Sequence, residues 1–292
     1  MNRCNSLLLT ALAALASVAA NGATPLIGPN QIISSPGSYV LTSNILVSGS
    51  ANGILIEAAN VTLDLGGYAI SCTNCGTGSG VIVYSTGTHI MNGTITGFSG
   101  SSADATGAGI NLAAGADVRV DHIMLEKNYY GLSGAANARV DIADSVVHAN
   151  VGDGVSCSQC YVNVRDSRIS SNAGAGLVMG PGMVTGASIM DNGRHGIVEY
   201  PGPGLDDIIH VTNSIIIAAR GQNAIFQANS GGTSPFVSVG FSTLEGSGPI
   251  GGSANYAFYV GMNTAGSCFN SANGDVGNCD TGSQTLNGTN HQ

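Results

Sequence analysis

The sequence predicts an all-β fold: a single-stranded, right-handed parallel β-helix, a solenoid whose coils of about 20–29 residues each hold three short strands. Between residues 107 and 192 the chain repeats nearly the same line four times, and each line opens with glycine and an aliphatic residue. Each line also closes on an asparagine, at Asn128, Asn150, Asn172 and Asn192. Apolar and polar residues alternate within the lines, which is the periodicity of strands. These repeats leave no room for a helix of three turns, and parallel crossovers favour the right hand.

Two apolar columns emerge when the repeats are aligned on their closing asparagines. They are Val118, Val140 and Val162, and, two places further on, Val120, Ile142 and Val164. We expect both columns to face the interior. Glycine and asparagine at the corners reach left-handed backbone conformations at low cost, and stacked asparagines can hydrogen-bond from coil to coil. A leucine-rich repeat is the nearest competitor, but the fixed leucine framework of that fold is missing.

The chain divides into four predicted segments. They are a signal peptide at 1–20, an N-terminal cap at 24–48, the β-helix at 49–245, and a C-terminal cap and tail rich in glycine, serine and asparagine at 246–292. The leader has a basic residue, Arg3, before an apolar run from Leu7 to Leu15 and a small-residue cleavage site ending at Ala20. This pattern predicts a secreted or periplasmic protein, because the apolar run is too short to span a membrane.

Composition limits the classes of partner. The 292 residues include 44 glycines, no tryptophan and only 9% charged residues, with a net charge of −9. We expect neither nucleic-acid binding nor membrane insertion, because an acidic surface repels both nucleic acid and anionic lipid. We expect a monomer, and a polysaccharide ligand would be uncharged or bridged by calcium. An aromatic content of 5% argues against a groove paved with flat rings.

Six cysteines follow the leader, an even number that suits an exported chain. They form the pairs Cys72 and Cys75, Cys157 and Cys160, and Cys268 and Cys279. We expect three local disulfides, with reduced thiols and a four-thiolate zinc site as alternatives. The first two pairs lie more than three coils apart, roughly 15 Å at the spacing of stacked strands. Zinc–sulfur bonds of about 2.3 Å cannot span that gap, which makes zinc the weakest alternative.

A family resemblance lies in the early coils. The run GILIEAANVTLDLGGYAI at 53–70, behind the lead-in SPGSYVLTSNI at 35–45, resembles the secreted bacterial right-handed β-helix repeat proteins of the pectate-lyase-like superfamily. The resemblance covers about residues 32 to 244. It implies the fold, and it implies contact with extracellular polysaccharide. It implies no single reaction, because the superfamily includes lyases, hydrolases, esterases, epimerases and adhesins.

The first candidate site is a row of outward-facing titratable residues on adjacent coils. Its members are Asp121, His122, Asp144, Arg165 and Asp166. The Val-Asp-His segment at 120–122 resembles a segment of pectate lyases whose aspartate binds calcium. Asp121, Asp144 and Asp166 would repel one another unless Arg165 or a divalent cation shared the site, so we expect calcium, if it binds, to bind there. The Arg-x-Pro segment that carries the catalytic arginine of those enzymes is absent here. In the alternative interpretation Asp144 and Asp166 close turns and the row is a solvated face.

The second candidate site surrounds a mid-chain insertion. Its members are His195, Glu199, Asp206 and Asp207, accompanied by Arg194 and Tyr200. Polygalacturonase-like hydrolases carry an adjacent aspartate pair and a Gly-His-Gly segment, and the nearest matches here occur in the opposite chain order. Carboxylates and a histidine in one place suit general acid–base chemistry. The alternative is a polar loop on the flank of the solenoid.

Two function classes remain open at this point. One is a carbohydrate-active enzyme of the lyase or hydrolase kind, or a sugar-binding β-helix, acting on extracellular polysaccharide. The other is a non-catalytic cell-surface, adhesion or structural β-solenoid. The sequence contains no complete catalytic motif, and calcium is the only cofactor that it suggests.

Overall fold

The structure is a computed structural model of the chain. It describes residues 22–26, 28–100, 107–200, 208–227, 236–240, 242–245, 248–249, 255–256 and 258–259. Within these ranges all the regular secondary structure is β-strand. No helix long and apolar enough to cross a membrane is found there. The predicted signal peptide, Asp206, Asp207, Cys268 and Cys279 lie outside the described residues.

The strands form a parallel β-solenoid with three sides. The first side is a ten-stranded parallel sheet. Its strands are β2 (Gln31–Ile33), β5 (Ile54–Ile56), β8 (Val81–Val83), β10 (Ala108–Leu112), β12 (Tyr130–Gly134), β15 (Val155–Cys157), β18 (Leu177–Met179), β21 (Ile197–Glu199), β24 (Ile225–Gln227) and β29 (Phe258–Tyr259). Each strand pairs with the strand one coil away, so the fold class predicted from the repeats is confirmed. Its handedness stays a prediction.

A second sheet, of 17 strands, covers the other two sides. The second side holds β1 (Thr24–Leu26), β3 (Gly37–Leu41), β6 (Val61–Asp64), β13 (Arg139–Ala143), β16 (Tyr161–Arg165), β19 (Gly182–Thr185), β22 (Ile208–Thr212) and β25 (Phe236–Gly240). The third side holds β4 (Ile45–Ser48), β7 (Ala69–Thr73), β14 (Val146–His148), β17 (Arg168–Ser170), β20 (Ser188–Met190), β23 (Ile215–Ile217) and β26 (Thr243–Glu245). In two coils β9 (Thr88–Thr96) and β11 (Asp117–Glu126) run around the bend and join both sides, so these coils have two strands where three were predicted.

The two ends of the solenoid differ. At the N-terminal end β2, β3 and β4 pair with β5, β6 and β7, so regular coils begin before residue 49, where the sequence placed their start. Among the described residues, β1 alone adds a strand beyond this coil, by pairing with β3. At the C-terminal end β27 (Gly248–Pro249) and β28 (Asn255–Tyr256) form a short antiparallel pair.

The two predicted valine columns face the interior. Val118, Val140 and Val162 are in register across β11, β13 and β16, and each is at most 1% exposed. The parallel column of Val120, Ile142 and Val164 is fully buried. Burying such a side chain contributes about 1.5–3 kcal/mol, so the stack of aliphatic columns is the main source of stability. These positions confirm the inward columns.

Asparagines form a buried ladder at the corner after the third side. The Oδ1 atoms of Asn150, Asn172 and Asn192 accept the backbone N–H of Asn128, Asn150 and Asn172 at 3.0–3.1 Å. Their Nδ2 groups donate to carbonyls of the preceding coil. Backbone groups that the turn leaves without strand partners are therefore satisfied by the ladder, and the predicted stacking of asparagines is confirmed.

A serine ladder serves the bend between the second and third sides. Ser145 Oγ accepts the N–H of Ile123, and Ser167 Oγ accepts the N–H of Ser145, both at 3.1 Å. Each hydroxyl also donates to the carbonyl two residues earlier, at 2.6 Å. Each serine thus joins its own turn to the preceding coil.

Two of the predicted cysteine pairs form disulfides, Cys72–Cys75 and Cys157–Cys160. Their Cα atoms are 5.8 and 5.3 Å apart, within the range for a disulfide. Cys72 lies on the third side and Cys157 on the first, four coils later. These two cysteine pairs are therefore too far apart to bind one zinc ion together.

Replacing Asn150 by alanine should destabilise the protein by about 1–3 kcal/mol, because it leaves the buried N–H of Asn128 without an acceptor. Urea unfolding followed by circular dichroism measures the change. Asn163→Ala, on the outer surface of β16, is the matched control and should cost clearly less. Equal losses in the two variants would contradict a structural role for the ladder.

Candidate functional site

A pocket of about 640 Å³ opens on the outer surface of the first side. We call it the first-side pocket. Its lining combines carboxylate, guanidinium, imidazole, amide, hydroxyl and aromatic groups. The lining residues are Asp153, Ser156, Ser158, Ala175, Val178, Arg194, His195, Val198, Tyr200, Gln222 and Phe226.

The floor of the pocket is a column of outward-facing strand residues. Ser156, Val178, Val198 and Phe226 are the middle residues of β15, β18, β21 and β24, and they pair in register. Val178 and Val198 pack with Ala175 and Phe226 in a small apolar cluster outside the main core. The floor is therefore polar at Ser156 and apolar along the next three coils.

One wall comes from the corner that precedes the first side. Asp153, Ala175, His195 and Asn223 occupy equivalent positions in successive coils, because the glycine after each donates its N–H to the carbonyl of the next member. Asp153 Oδ1 accepts the N–H of Ala175 at 2.8 Å, and His195 Nδ1 accepts the N–H of Asn223 at 3.0 Å. We call this set the corner column. The side chains of Asp153 and His195 bind the next coil and line the pocket at the same time.

The Asp153 carboxylate is held in a largely buried position. Burial raises its pKa above the ordinary range, while the Ala175 amide, Ser156 and the charge of Arg194 act in the opposite direction without cancelling that effect. A Cβ on Gly174 would collide with this carboxylate and with the backbone of Gly152, so only glycine fits there. The carboxylate is thus positioned by packing as well as by hydrogen bonds.

His195 is held from two directions. Its ring stacks on Phe226 with centroids 4.7 Å apart and an interplanar angle of 15°. Burial lowers its pKa below the ordinary value. Because Nδ1 accepts an amide hydrogen from Asn223, the neutral ring carries its proton on Nε2.

The hydrogen bonds of the pocket favour binding over nucleophilic catalysis. Serine, histidine and aspartate all line the pocket, yet a catalytic triad needs the histidine Nδ1–H to donate to the carboxylate. Here Nδ1 is an acceptor for the Asn223 amide, and Asp153 accepts from Ala175. The neutral His195 therefore serves as a hydrogen-bond donor through Nε2, beside Arg194 and Gln222.

The second predicted site is only partly assembled in the described residues. His195 lines the pocket, together with Arg194 and Tyr200. Glu199 does not, because it is fully buried and pairs in register with the core residue Met179. Strand alternation places Val198 outward, so its neighbour Glu199 points inward.

Five of the polar and aromatic lining residues were not predicted from the sequence: Asp153, Ser156, Ser158, Gln222 and Phe226. A signal for Asp153 was present. It stands immediately before the opening glycine of its line, as His195 does in a later coil. Comparison of the residues before these glycines would have placed Asp153 and His195 in one column.

The first predicted row lies elsewhere, at the bend between the second and third sides. His122, Asp144 and Asp166 all adopt left-handed backbone conformations there, with φ of 52°, 48° and 46°. Gly186 and Asn213 take the same position in later coils, also with positive φ. Small polar residues and glycine tolerate this conformation best, which supports a turn-forming role for the aspartates.

Asp121 makes the most polar side-chain contacts among the carboxylates of that row. It accepts a hydrogen bond from Arg119 at 2.8 Å and lies 2.9 Å from His122 Nδ1 and 3.7 Å from His89 Nε2. Burial raises the pKa of Asp121, but the hydrogen bonds and charges of Arg119 and His122 outweigh burial and bring it below its usual value. Arg165 is exposed and pairs in register with Ala143, away from this cluster.

The donor set of the row matches calcium poorly. Ligand atoms of Asp121, His122 and Asp144 lie within 4.8 Å of one another, and Asp166 is not part of the group. Calcium takes six to eight oxygen ligands, whereas this group offers two carboxylates and an imidazole beside the Arg119 guanidinium. Calcium at Asp121, Asp144 and Asp166 stays a prediction.

Among solved structures, the chain is similar to the Dettilon tailspike protein (gp208), with a TM-score of 0.44 and 12% sequence identity. The similarity covers 75% of this chain and 43% of the tailspike chain, so the chain spans less than half of that protein. No protein-family model and no curated protein matches the sequence. The assignment of the fold and of the pocket rests on the strand pairing and hydrogen bonds of the chain itself.

A calcium site in the row has a measurable consequence. Ca²⁺ should raise the melting temperature by mass action, a chelator should reverse the rise, and Asp144→Ala should abolish it. Asp117→Ala, at an exposed aspartate of β11 outside the row, is the matched control and should leave the rise in place. Identical melting temperatures with Ca²⁺ and with chelator would leave the row as a solvated bend.

Proposed function

We propose that the chain is an extracellular glycan-binding β-solenoid and that the first-side pocket holds one sugar unit of the glycan. The observation that carries this proposal is the combination of aromatic surface with fixed polar groups in one concave site. Tyr200 is 44% exposed at the pocket, and the stacked rings of His195 and Phe226 lie beside it. Such a site suits a ligand with apolar ring faces and many hydroxyl groups.

The polar groups supply both sides of sugar recognition. Asp153 offers carboxylate oxygens as acceptors, and Arg194, Gln222 and the neutral His195 offer N–H donors. Sugar hydroxyls donate and accept at once, so a mixed set of this kind can satisfy them in pairs. The floor formed by Val178 and Val198 gives the ring faces an apolar contact.

Two further features support action outside the cytoplasm. The described residues hold two disulfides, and disulfides persist chiefly in oxidising compartments. The leader at 1–20 has the pattern of a secretory signal. Secretion and membership of the pectate-lyase-like superfamily belong to the proposal.

The proposal is for binding, with no reaction assigned. The hydrogen bonds of His195 and Asp153 favour positioning over nucleophilic attack. A non-catalytic adhesion or structural solenoid, using its flank as a contact area, is the alternative. In the alternative the pocket has no role, so substitutions in the pocket would not change binding selectively.

Affinity electrophoresis of the purified protein in gels that contain neutral or acidic plant and algal polysaccharides tests the proposal. We expect retardation by at least one polysaccharide, and we expect Arg194→Ala to weaken that binding about tenfold or more through loss of charged hydrogen bonds. Tyr200→Ala should weaken it as well, by removing ring contact.

Matched controls separate the pocket from the surface at large. Arg168→Ala and Tyr84→Ala remove an exposed arginine and an exposed tyrosine away from the pocket, and should leave the retardation unchanged. Retardation by no polysaccharide in the panel, or equal losses in pocket and control variants, would overturn the proposal in favour of the scaffold alternative.

A further inference from the structure

We infer that His195 is a positioning residue that responds to acid. Its neutral ring helps to hold segment 222–226, which carries the pocket residues Gln222 and Phe226, and protonation of the ring breaks the hydrogen bond between them. This hydrogen bond runs from the Asn223 N–H to Nδ1, at 3.0 Å. The inference deepens the proposed function and rests on it only where it concerns ligand affinity.

Two other residues of the corner column make the same kind of bond. Asn52, which occupies the same position in an earlier coil, accepts the N–H of Ser79 at 2.9 Å, and Asp153 accepts that of Ala175 at 2.8 Å. His195 makes the same bond with a ring nitrogen. The position therefore accommodates an acceptor without requiring one, as Ala175 shows, and histidine supplies an acceptor only while it is neutral.

Protonation affects His195 differently from Asn52 and Asp153. An asparagine oxygen does not titrate, and a protonated aspartic acid still has an acceptor oxygen. The neutral ring of His195 already holds a proton on Nε2, so the next proton goes to Nδ1, the atom that faces the Asn223 N–H. Two donors then oppose each other, and the bond between the coils is lost.

This bond lies within the pocket wall. Gln222, directly before Asn223, lines the pocket, and so does Phe226, three residues after Asn223. The ring of Phe226 stacks on His195. The pairing of β21 with β24 and the bonds from the Gly196 and Ile197 amides to the carbonyls of Asn223 and Ala224 also hold this segment to the preceding coil. His195 adds one amide bond and one ring contact on the pocket side. Release of the amide bond would move or loosen the wall that carries both lining residues.

The charges around His195 set the direction of the response. Arg194 is its chain neighbour, Asp153 and Tyr200 line the same pocket, and Glu199 is buried on the inner face of β21. Segment 222–226 brings no titratable group. Burial and Arg194 hold the pKa of His195 below its ordinary value. The stabilising bond is therefore fully present above the ordinary histidine pKa and is lost as pH falls through the lower pKa of the folded state.

Asp153 responds to pH with the opposite sign. Its pKa is raised, so lowering the pH removes an unfavourable buried charge instead of a hydrogen bond. A fall in stability of the whole protein would mix the two effects. The test must therefore report on His195 and Asn223 directly.

The experiment needs no ligand. Nitrogen NMR of the full chain, labelled at histidine, should show an unprotonated Nδ1 in His195 at neutral pH. Hydrogen exchange of the Asn223 amide, corrected for intrinsic rate, should lose protection as pH falls from the ordinary histidine pKa to the lower folded-state pKa, by at most about tenfold for each pH unit in that interval. A proton on Nδ1 at neutral pH, or Asn223 protection that is constant through the titration of His195, would overturn the inference.

Substitution to asparagine isolates the switch. His195→Asn keeps an acceptor and removes the titration, so Asn223 should stay protected at acid pH, and the melting temperature at acid pH should exceed that of the wild type by about 2–4 °C. His210→Asn, at an exposed histidine on β22, is the matched control and should follow the wild type. An acid-induced loss of Asn223 protection in His195→Asn equal to that in the wild type would contradict the inference. A negative glycan panel would leave these readouts unaffected, so failure of the proposed function and failure of the inference are distinguishable.

Discussion

The hydrogen bond from a corner amide to a side chain of the neighbouring coil is the interaction on which this structure depends. Strand amides find partners in the parallel sheets, but the chain turns three times per coil and each turn exposes amides that strand pairing cannot satisfy. Asparagines solve this at one corner and serines at another, each in a continuous ladder. The third corner uses a mixed column that includes Asn52, Asp153 and His195. Ladder side chains and aliphatic columns together determine the register of every coil.

The mixed column explains how a solenoid of regular coils can carry a pocket. An asparagine ladder is buried and leaves nothing for a ligand, whereas the third corner lies beside the outer surface of the first side. Asp153 and His195 are fixed there by the same bonds that join the coils, so their positions are set before any ligand arrives. Preorganised polar groups lose little conformational entropy on binding, which favours recognition of weakly binding polar ligands.

The sequence predicted the main repeating columns and only part of the pocket, whose residues each occur once. The valine columns and asparagine ladder were readable because equivalent positions carry the same residue type in several coils. The pocket was not, because Asp153, His195 and Phe226 are different residue types that only the coil stacking brings together. Glu199 was assigned to the second site because it lies near His195 and the mid-chain insertion in the sequence, yet the alternation of β21 turns it inward. The aspartates of the first row attracted a metal-binding interpretation, whereas their left-handed backbone already accounts for their residue type.

A solenoid also determines how far a local change spreads. Each coil contacts only its neighbours, so the loss of one bond between coils is not shared across a common core. The bond between His195 and Asn223 joins the two coils that contribute Arg194 and Tyr200 on one side and Gln222 and Phe226 on the other. Loosening this junction leaves the aliphatic columns and the asparagine ladder of the other coils intact, while the pocket lies directly across it. A titratable residue at this one corner can therefore change the pocket without unfolding the stack, which an asparagine in the same place could not do.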